Sequence, residues 1–344
     1  MFDGTAAKLG DRTNIERLKS SLIDNENLFY YPGTDTVSSA ENQQKLVATE
    51  LKRDVKTAYE ALQRLDIHTH DKIHIFGYSR GSISARTLAQ AITSPVYYME
   101  LFKGHQLDRD NLLNHSVEVL SVLDPIFGKL NPFTGAPNHE ISASKNPRIL
   151  SYIEIVACDE HRFVFAHRSS AYAFIKRLNE SKPKKNIANA ESKVPSYYLS
   201  QLNEVSSDGP KPFQLKESRH FIAMRGGHAD IGNQAGDEVI GNHALLTMCT
   251  LAVYCSKTLK SSFVSGALSD FLDYIDLAGK PKPNSSLSGF RRAQRAISGL
   301  GKEFFRRKRL VNLEVFVHHS INNECAGKKK SEAVFTPDYR AALE

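Results

Sequence analysis

The chain has 344 residues, of which 41% are hydrophobic and 24% charged, an ordinary composition for a globular enzyme with a large core. It contains no run of about 18 apolar residues, which argues against a membrane-spanning helix. The first residues lack the basic and then apolar layout of a secretory signal. Four cysteines show no metal-ligand spacing and predict reduced thiols in a protein made in the cytoplasm: Cys158, Cys249, Cys255 and Cys325.

Short apolar strands alternate with helices along most of the chain. The predicted elements are, in order, a helix at 13–27, a strand at 28–31, a helix at 42–66, a strand at 73–76, a helix at 82–92, and strands at 117–123, 153–157, 221–224 and 311–317. This alternation predicts an α/β fold, in which a mainly parallel central sheet is covered by helices on both faces.

The chain is expected to form a single domain over 1–344, interrupted by insertions. Segments 128–148 and 178–215 are rich in loop-forming residues, and with 260–310 they are expected to form cap or loop insertions over the sheet. The first residues resemble the end of a strand, which predicts that the chain begins inside a longer protein.

The net charge of +7 is concentrated near the carboxyl terminus. Segment 290–310 carries a surplus of basic residues equal to the net charge of the whole chain, while its apolar residues recur at helical spacing. A basic amphipathic helix of this kind can lie on an anionic membrane, with these contacts: Arg291, Arg292, Arg295, Arg306 and Arg307. A solvated helix packed on the core explains the pattern as well. No nucleic-acid partner is expected, since the only aromatic residues in the cluster are Phe.

The most informative motif is a G-x-S-x-G sequence placed between a strand and a helix. The apolar strand at 73–76 runs into Gly77-Tyr78-Ser79-Arg80-Gly81, and a helical pattern follows. This context is typical of a nucleophile elbow, a tight turn that exposes the serine hydroxyl above the sheet. We therefore interpret Ser79 as the nucleophile of a hydrolase with the α/β-hydrolase fold.

Acidic residues and a histidine follow the later strands. Asp124, Asp159 and His228 each come at or just after the end of a predicted strand. Because the carboxyl ends of parallel strands meet at one edge of a sheet, we expect these groups to gather around Ser79.

Serine needs a neighbouring base, and the base needs a carboxylate that holds its tautomer. His228 is the first candidate for the base, with His318 after the last strand as the alternative. Asp124 is the first candidate for the carboxylate, and Asp159 and Asp230 are the alternatives.

An oxyanion hole needs two donors close to the nucleophile. The backbone N–H of Arg80 is the first candidate. The second is expected from the turn that contains Gly4 and Thr5, where a glycine lets the backbone approach the substrate closely. This chemistry needs no cofactor and no metal.

The motifs together resemble a known family. Phe2-Asp3-Gly4-Thr5, the elbow around Ser79, Ser121-Val122-Leu123-Asp124-Pro125 and Gly227-His228-Ala229-Asp230 occur in the order found in the bacterial α/β-hydrolase family that includes the type VI secretion phospholipase effectors. Further matching pieces are Thr13-Asn14-Ile15-Glu16-Arg17-Leu18, Tyr31-Pro32-Gly33-Thr34, Ala157-Cys158-Asp159-Glu160-His161-Arg162 and His318-His319-Ser320.

The resemblance implies a serine hydrolase that uses Ser79, Asp124 and His228, and it favours His228 over His318. It also implies phospholipid ester cleavage and delivery into a rival bacterium by a route that needs no signal peptide. A cognate immunity or secretion-system protein is the implied partner. Two other functions remain open: a soluble carboxylesterase or thioesterase acting on a small metabolite, and a non-catalytic lipid-binding protein on a hydrolase scaffold.

Overall fold

A computed structural model describes residues 1–4, 7, 10–23, 27–33, 40–65, 67, 71–94, 115–126, 143–144, 146–157, 219–224, 226–234, 238–278, 316–318, 334–335 and 339–343. The strands in these ranges are β1 Ile73–Tyr78, β2 Val117–Leu123, β3 Ile149–Ala157, β4 Arg219–Met224, β5 Phe316–His318 and β6 Val334–Phe335. The helices are α1 Asn14–Ser21, α2 Ala40–Arg64, α3 Arg80–Thr93, α4 His228–Ile231, α5 Glu238–Cys255, α6 Lys257–Lys260, α7 Ser269–Ala278 and α8 Tyr339–Leu343.

The six strands form one parallel sheet in the order β1-β2-β3-β4-β5-β6. Residues 119–123 of β2 are all fully buried. Since successive side chains of a strand point to opposite faces, both faces of the sheet are covered. Helix α3 packs against β1, β2 and α2, and α5 packs against β2, β3, α1 and α7. The predicted α/β fold class is therefore confirmed.

The amino terminus extends the sheet beyond β1. Phe2 forms parallel bridges with Gly77 and with Tyr31. Its N–H donates to the Phe76 carbonyl at 2.9 Å, and the Tyr78 N–H donates to the Phe2 carbonyl at 3.1 Å. This pairing places the turn that follows Phe2 beside the carboxyl end of β1.

Two predicted elements at the amino terminus were too long. The helix expected at 13–27 ends at Ser21, because Leu22 leaves it to form an antiparallel bridge with Phe263. Of the strand expected at 28–31, only Tyr31 is bridged, to Phe2. Leu22 thus pairs with a distant segment rather than continuing the helix, whereas the strand prediction holds in part, since the backbone of Phe29 and Tyr31 hydrogen-bonds to the amino-terminal residues.

The predicted insertions lie largely outside the described residues. This holds for 127–142, for 178–215 and for 279–310, which includes the basic segment. Within 260–278, helix α7 packs against α5, and its Leu272 is buried in the core.

A buried ion pair ties the helix that follows the elbow to the sheet. The Arg86 Nη2 donates to Glu154 Oε2 at 2.7 Å and to the Tyr152 hydroxyl at 2.6 Å. The Tyr152 hydroxyl donates in turn to Glu154 Oε2 at 2.6 Å. The side chains of Arg86 and Glu154 are 0% exposed.

We expect Arg86→Met to lower the free energy of unfolding by about 3–5 kcal/mol, because it leaves the Glu154 carboxylate buried without its cation. Urea denaturation measures the change. The double variant Arg86→Met with Glu154→Leu is the control, and it should recover much of the loss because no buried charge remains. If the free energy of unfolding of Arg86→Met lies within about 1 kcal/mol of the native value, this account of the ion pair is wrong.

Candidate active site

Ser79 lies in a strained turn between β1 and α3. Its backbone angles are φ 59° and ψ −124°, a region that residues with a side chain rarely adopt. The conformation is held from both sides, since the Ser79 N–H donates to the Leu123 carbonyl at 3.0 Å and the Ser79 carbonyl accepts from the Ile126 N–H at 3.4 Å. Strain of this kind, supported by the surrounding backbone, is typical of functional residues.

The two glycines of the elbow are required by close backbone contacts. A Cβ added to Gly77 would lie 2.6 Å from the Gly81 carbonyl oxygen, and one added to Gly81 would lie 2.3 Å from the Phe2 carbonyl oxygen. Both distances are shorter than any real contact of this type. The tightness expected from the sequence is thus present, and the amino-terminal residues contribute to it.

Three side chains from distant parts of the chain meet above the carboxyl end of the sheet. The His228 Nε2 lies 2.9 Å from the Ser79 Oγ, and its Nδ1 lies 2.7 Å from Asp124 Oδ2. Ser79 and His228 are each 4% exposed and Asp124 is 0% exposed. With the proton on Nδ1, the ring donates to Asp124 and accepts from the Ser79 hydroxyl, so one tautomer satisfies both contacts.

Asp124 is fixed by the neighbouring strand as well as by the histidine. Its N–H donates to the Ile155 carbonyl at 2.7 Å, and its Oδ1 accepts from the Ala157 N–H at 3.0 Å. Its φ of 37° marks a sharp turn away from β2. The two carboxylate oxygens therefore have separate partners, Oδ1 the backbone of β3 and Oδ2 the His228 ring.

Asp230, one of the two alternative candidates for the carboxylate, has a different partner. Its Oδ2 accepts from the Gly227 N–H at 2.8 Å and so caps α4, the short helix that begins at His228. The carboxylate hydrogen-bonded to the His228 ring is that of Asp124. Asp159 and the side chain of His318 lie outside the described residues.

The expected oxyanion donors are placed in part. Arg80 is the first residue of α3, where backbone N–H groups lack partners within the helix. A Cβ added to Gly4 would lie 3.1 Å from the Ser79 Cβ, so the amino-terminal turn passes close to Ser79. In this structure the Gly4 N–H donates to Asp3 Oδ1 at 2.6 Å. Thr5 lies outside the described residues.

Asp3 organises this turn, a role that was not predicted from the sequence. The buried carboxylate accepts from the Gly4 N–H, from the Thr13 hydroxyl and, at 2.8 Å, from the Tyr30 hydroxyl. Burial raises the pKa of the Asp3 carboxyl, and these hydrogen bonds offset only part of the effect. The available signal was its position directly before the glycine of a turn.

The raised pKa of Asp3 predicts a pH effect on stability. Between the usual pKa of an aspartate and the raised value, the folded protein keeps a proton that the unfolded chain loses. The contribution of Asp3 to stability is therefore fully present below the unfolded pKa and declines as pH rises through the folded pKa.

We expect Asp3→Asn to remove this pH dependence, because asparagine does not ionise and still offers an oxygen to the Gly4 N–H. Asp3→Ala is the control, and at neutral pH it should cost about 1–3 kcal/mol because three donors lose their acceptor. Urea unfolding at several pH values measures both variants. A difference between Asp3→Asn and the native protein that does not vary with pH contradicts the prediction.

The described residues show neither a metal cluster nor a membrane-spanning helix. They contain no group of three or more His, Cys, Asp or Glu side chains arranged to hold a metal ion. In the same ranges, no helix has both the length and the apolar character needed to cross a membrane.

Comparison with known proteins relates the first part of the chain to a family. Residues 1–95 match the model of the T6SS phospholipase effector Tle1-like catalytic domain. No curated protein matches the chain significantly. Among solved structures, a chain from the Tle1 effector bound to the VgrG spike of the type 6 secretion system is 16% identical, with a TM-score of 0.33. The match covers 64% of the present chain and 40% of that one.

The matched segment contains both the amino-terminal turn and the G-x-S-x-G turn around Ser79, whereas Asp124 and His228 follow it. The resemblance to the type VI secretion phospholipase effectors is therefore confirmed over residues 1–95.

Proposed function

We propose that the protein is a serine hydrolase that cleaves carboxylic esters through an acyl-enzyme on Ser79. The observation that carries the proposal is the hydrogen-bonded series from the Ser79 Oγ through the His228 ring to Asp124, with distances of 2.9 and 2.7 Å. Such a series activates a hydroxyl that is otherwise a weak nucleophile at neutral pH.

In this mechanism Ser79 is the nucleophile, His228 transfers protons, and Asp124 supports the His228 ring. The His228 Nε2 takes the Ser79 proton as the Oγ attacks the ester carbonyl, and it then gives that proton to the leaving alcohol. Asp124 stabilises the imidazolium that forms between these steps. Water then attacks the acyl-enzyme while the same ring takes one of its protons, and the ring returns this proton to the Ser79 Oγ as the bond to the acyl carbon breaks and the acid leaves. The negative oxygen of each tetrahedral intermediate accepts from the Arg80 N–H, and the second donor is expected from the turn at Gly4 and Thr5.

The substrate that we propose is a membrane phospholipid. The match of residues 1–95 to a phospholipase effector family supports this choice. By sequence, segment 290–310 carries a surplus of positive charge, which would attract anionic lipid headgroups. The same match favours delivery into a target cell by a type VI secretion system, with a cognate immunity or secretion-system protein as partner.

Two measurements test this function. A fluorophosphonate probe reacts only with an activated serine, so labelling at Ser79 is expected, and its absence favours the non-catalytic lipid-binding protein. Release of fatty acid from liposomes of phosphatidylethanolamine and phosphatidylglycerol should exceed hydrolysis of soluble p-nitrophenyl and thioester substrates at equal ester concentration. Labelling of Ser79 with activity on soluble esters alone contradicts the phospholipase proposal and indicates a metabolite esterase.

A further inference from the structure

Tyr78, the residue directly before the nucleophile, lies against the base. Its side chain is 0% exposed. The centroid of its ring lies 4.9 Å from that of the His228 ring, and the two planes are inclined by only 21°. The residue between the glycine and the serine of the elbow thus stacks on the imidazole that accepts the serine proton.

The hydroxyl of Tyr78 holds the segment that carries His228. It lies 3.0 Å from the His228 carbonyl oxygen and 3.1 Å from Gln234 Oε1. These acceptors lie at the start of α4 and just beyond its end. Tyr78 therefore contacts both the ring of the base and the backbone that places the ring.

The surroundings leave little room for the Tyr78 ring to move. A Cβ added to Gly232 would lie 2.0 Å from the Tyr78 Cζ, and one added to Gly4 would lie 2.7 Å from the Tyr78 Cδ1. Glycines on both sides thus allow the ring to fit between the turn near the nucleophile and the segment after the base. The Tyr78 side chain thus contacts the amino-terminal turn, the His228 ring and the segment that follows α4.

We propose that Tyr78 is a positioning residue for His228, in which the hydroxyl fixes the backbone of the base and the ring face stabilises the imidazolium that forms during catalysis. An aromatic face attracts a cation placed over it. The effect of Tyr78 on catalysis rests on the proposed hydrolase function, whereas the stacking of its ring on His228 is independent of that function.

The titratable groups on His228 and on the elements around it are the same in every Tyr78 variant. Asp124 accepts from the ring, Asp230 caps α4, and Arg80 begins α3. The elements that pack against α4 add Glu154 on β3 and two residues of α5, Glu238 and His243. A difference in kcat or in the pH profile between these variants is therefore due to the change at Tyr78.

Two substitutions separate the hydroxyl from the ring. Tyr78→Phe keeps the stacked ring, and we expect kcat to fall about 3- to 10-fold with KM within about twofold, as loss of one hydrogen bond predicts. The acid limb of the kcat/KM profile should stay in place. Tyr78→Leu removes the ring as well, and we expect kcat to fall further and the acid limb to move to lower pH by about 0.5 to 1 unit.

The direction of the shift in the acid limb follows from the positive charge of the imidazolium. Without the aromatic face the imidazolium is less stable, so the imidazole remains neutral and active at a lower pH. A folded Tyr78→Leu protein, checked by circular dichroism melting, overturns the proposal if its kcat and acid limb match those of the native protein. If Tyr78→Leu does not fold, Tyr78→Met serves as the ring-free variant, and an unchanged kcat in Tyr78→Phe refutes the role of the hydroxyl.

A measurement without turnover separates this inference from the hydrolase proposal. The NMR titration of the His228 ring is followed in Ser79→Ala and in Ser79→Ala with Tyr78→Leu. A lower midpoint in the double variant supports stacking even if the native protein hydrolyses no ester. Equal midpoints refute the stabilisation of the imidazolium even if it does.

Discussion

Replacement of Ser79 by alanine is expected to lower kcat for ester hydrolysis by about 10⁴- to 10⁶-fold. Without the Oγ that lies 2.9 Å from the His228 Nε2, no acyl-enzyme can form. The fold should be retained, because alanine adds no atom to the turn. Steady-state hydrolysis of p-nitrophenyl butyrate measures the loss, and labelling by the fluorophosphonate probe should disappear with it.

Ser20→Ala is the matched control for this experiment. Ser20 is exposed on α1 and its hydroxyl donates to the Glu16 carbonyl at 3.0 Å, within its own helix. We expect native kcat and native labelling. Activity of Ser79→Ala within about tenfold of the control means that another group is the nucleophile or that no acyl-enzyme is formed.

Replacement of Asp124 by asparagine should lower kcat by about 10²- to 10⁴-fold while KM changes little. The Asp124 Oδ1 already accepts from the Ala157 N–H, so an asparagine that keeps this bond directs its NH₂ group at the His228 Nδ1. That ring nitrogen must then accept a hydrogen bond, which puts the proton on Nε2 and removes the acceptor for the serine hydroxyl.

Comparable substitutions test the remaining candidate acids and the second histidine. Asp230→Asn keeps an oxygen for the Gly227 N–H, and we expect kcat to fall less than about tenfold. Asp159→Asn and His318→Ala should likewise retain activity within about tenfold if Asp124 and His228 are the partners of Ser79. A loss of about 10²-fold or more in any of these three variants, with native activity in Asp124→Asn, reassigns the site.

The elbow was the part of the site that local sequence described best. The strand, the glycine-flanked serine and the following helix lie close together in the chain, and each leaves its own pattern of apolar residues and glycines. The structure has β1 end at Tyr78, Ser79 in a turn with positive φ and α3 begin at Arg80. The sequence pattern predicted these elements because each depends on residues that are close together in the chain.

The sequence limited the candidate partners of Ser79 to a few residues at strand ends, but residue spacing could not decide between them. Parallel strands bring their carboxyl ends to one edge, so Asp124 and His228 were expected there together with Asp159. The choice depends on contacts across 104 and 149 positions of the chain, which follow from strand register and helix packing. Asp230 was expected as a possible partner, and the capping of α4 gave it another bond.

The amino-acid sequence by itself determined the fold class and the candidate nucleophile, because alternating apolar strands, helices and a glycine-flanked serine are local patterns. Only the tertiary structure decided that Asp124 contacts the His228 ring, that Tyr78 stacks on that ring and that Asp3 organises the turn beside Ser79. These contacts join segments distant in the chain, and their geometry is set by how the sheet and its helices pack.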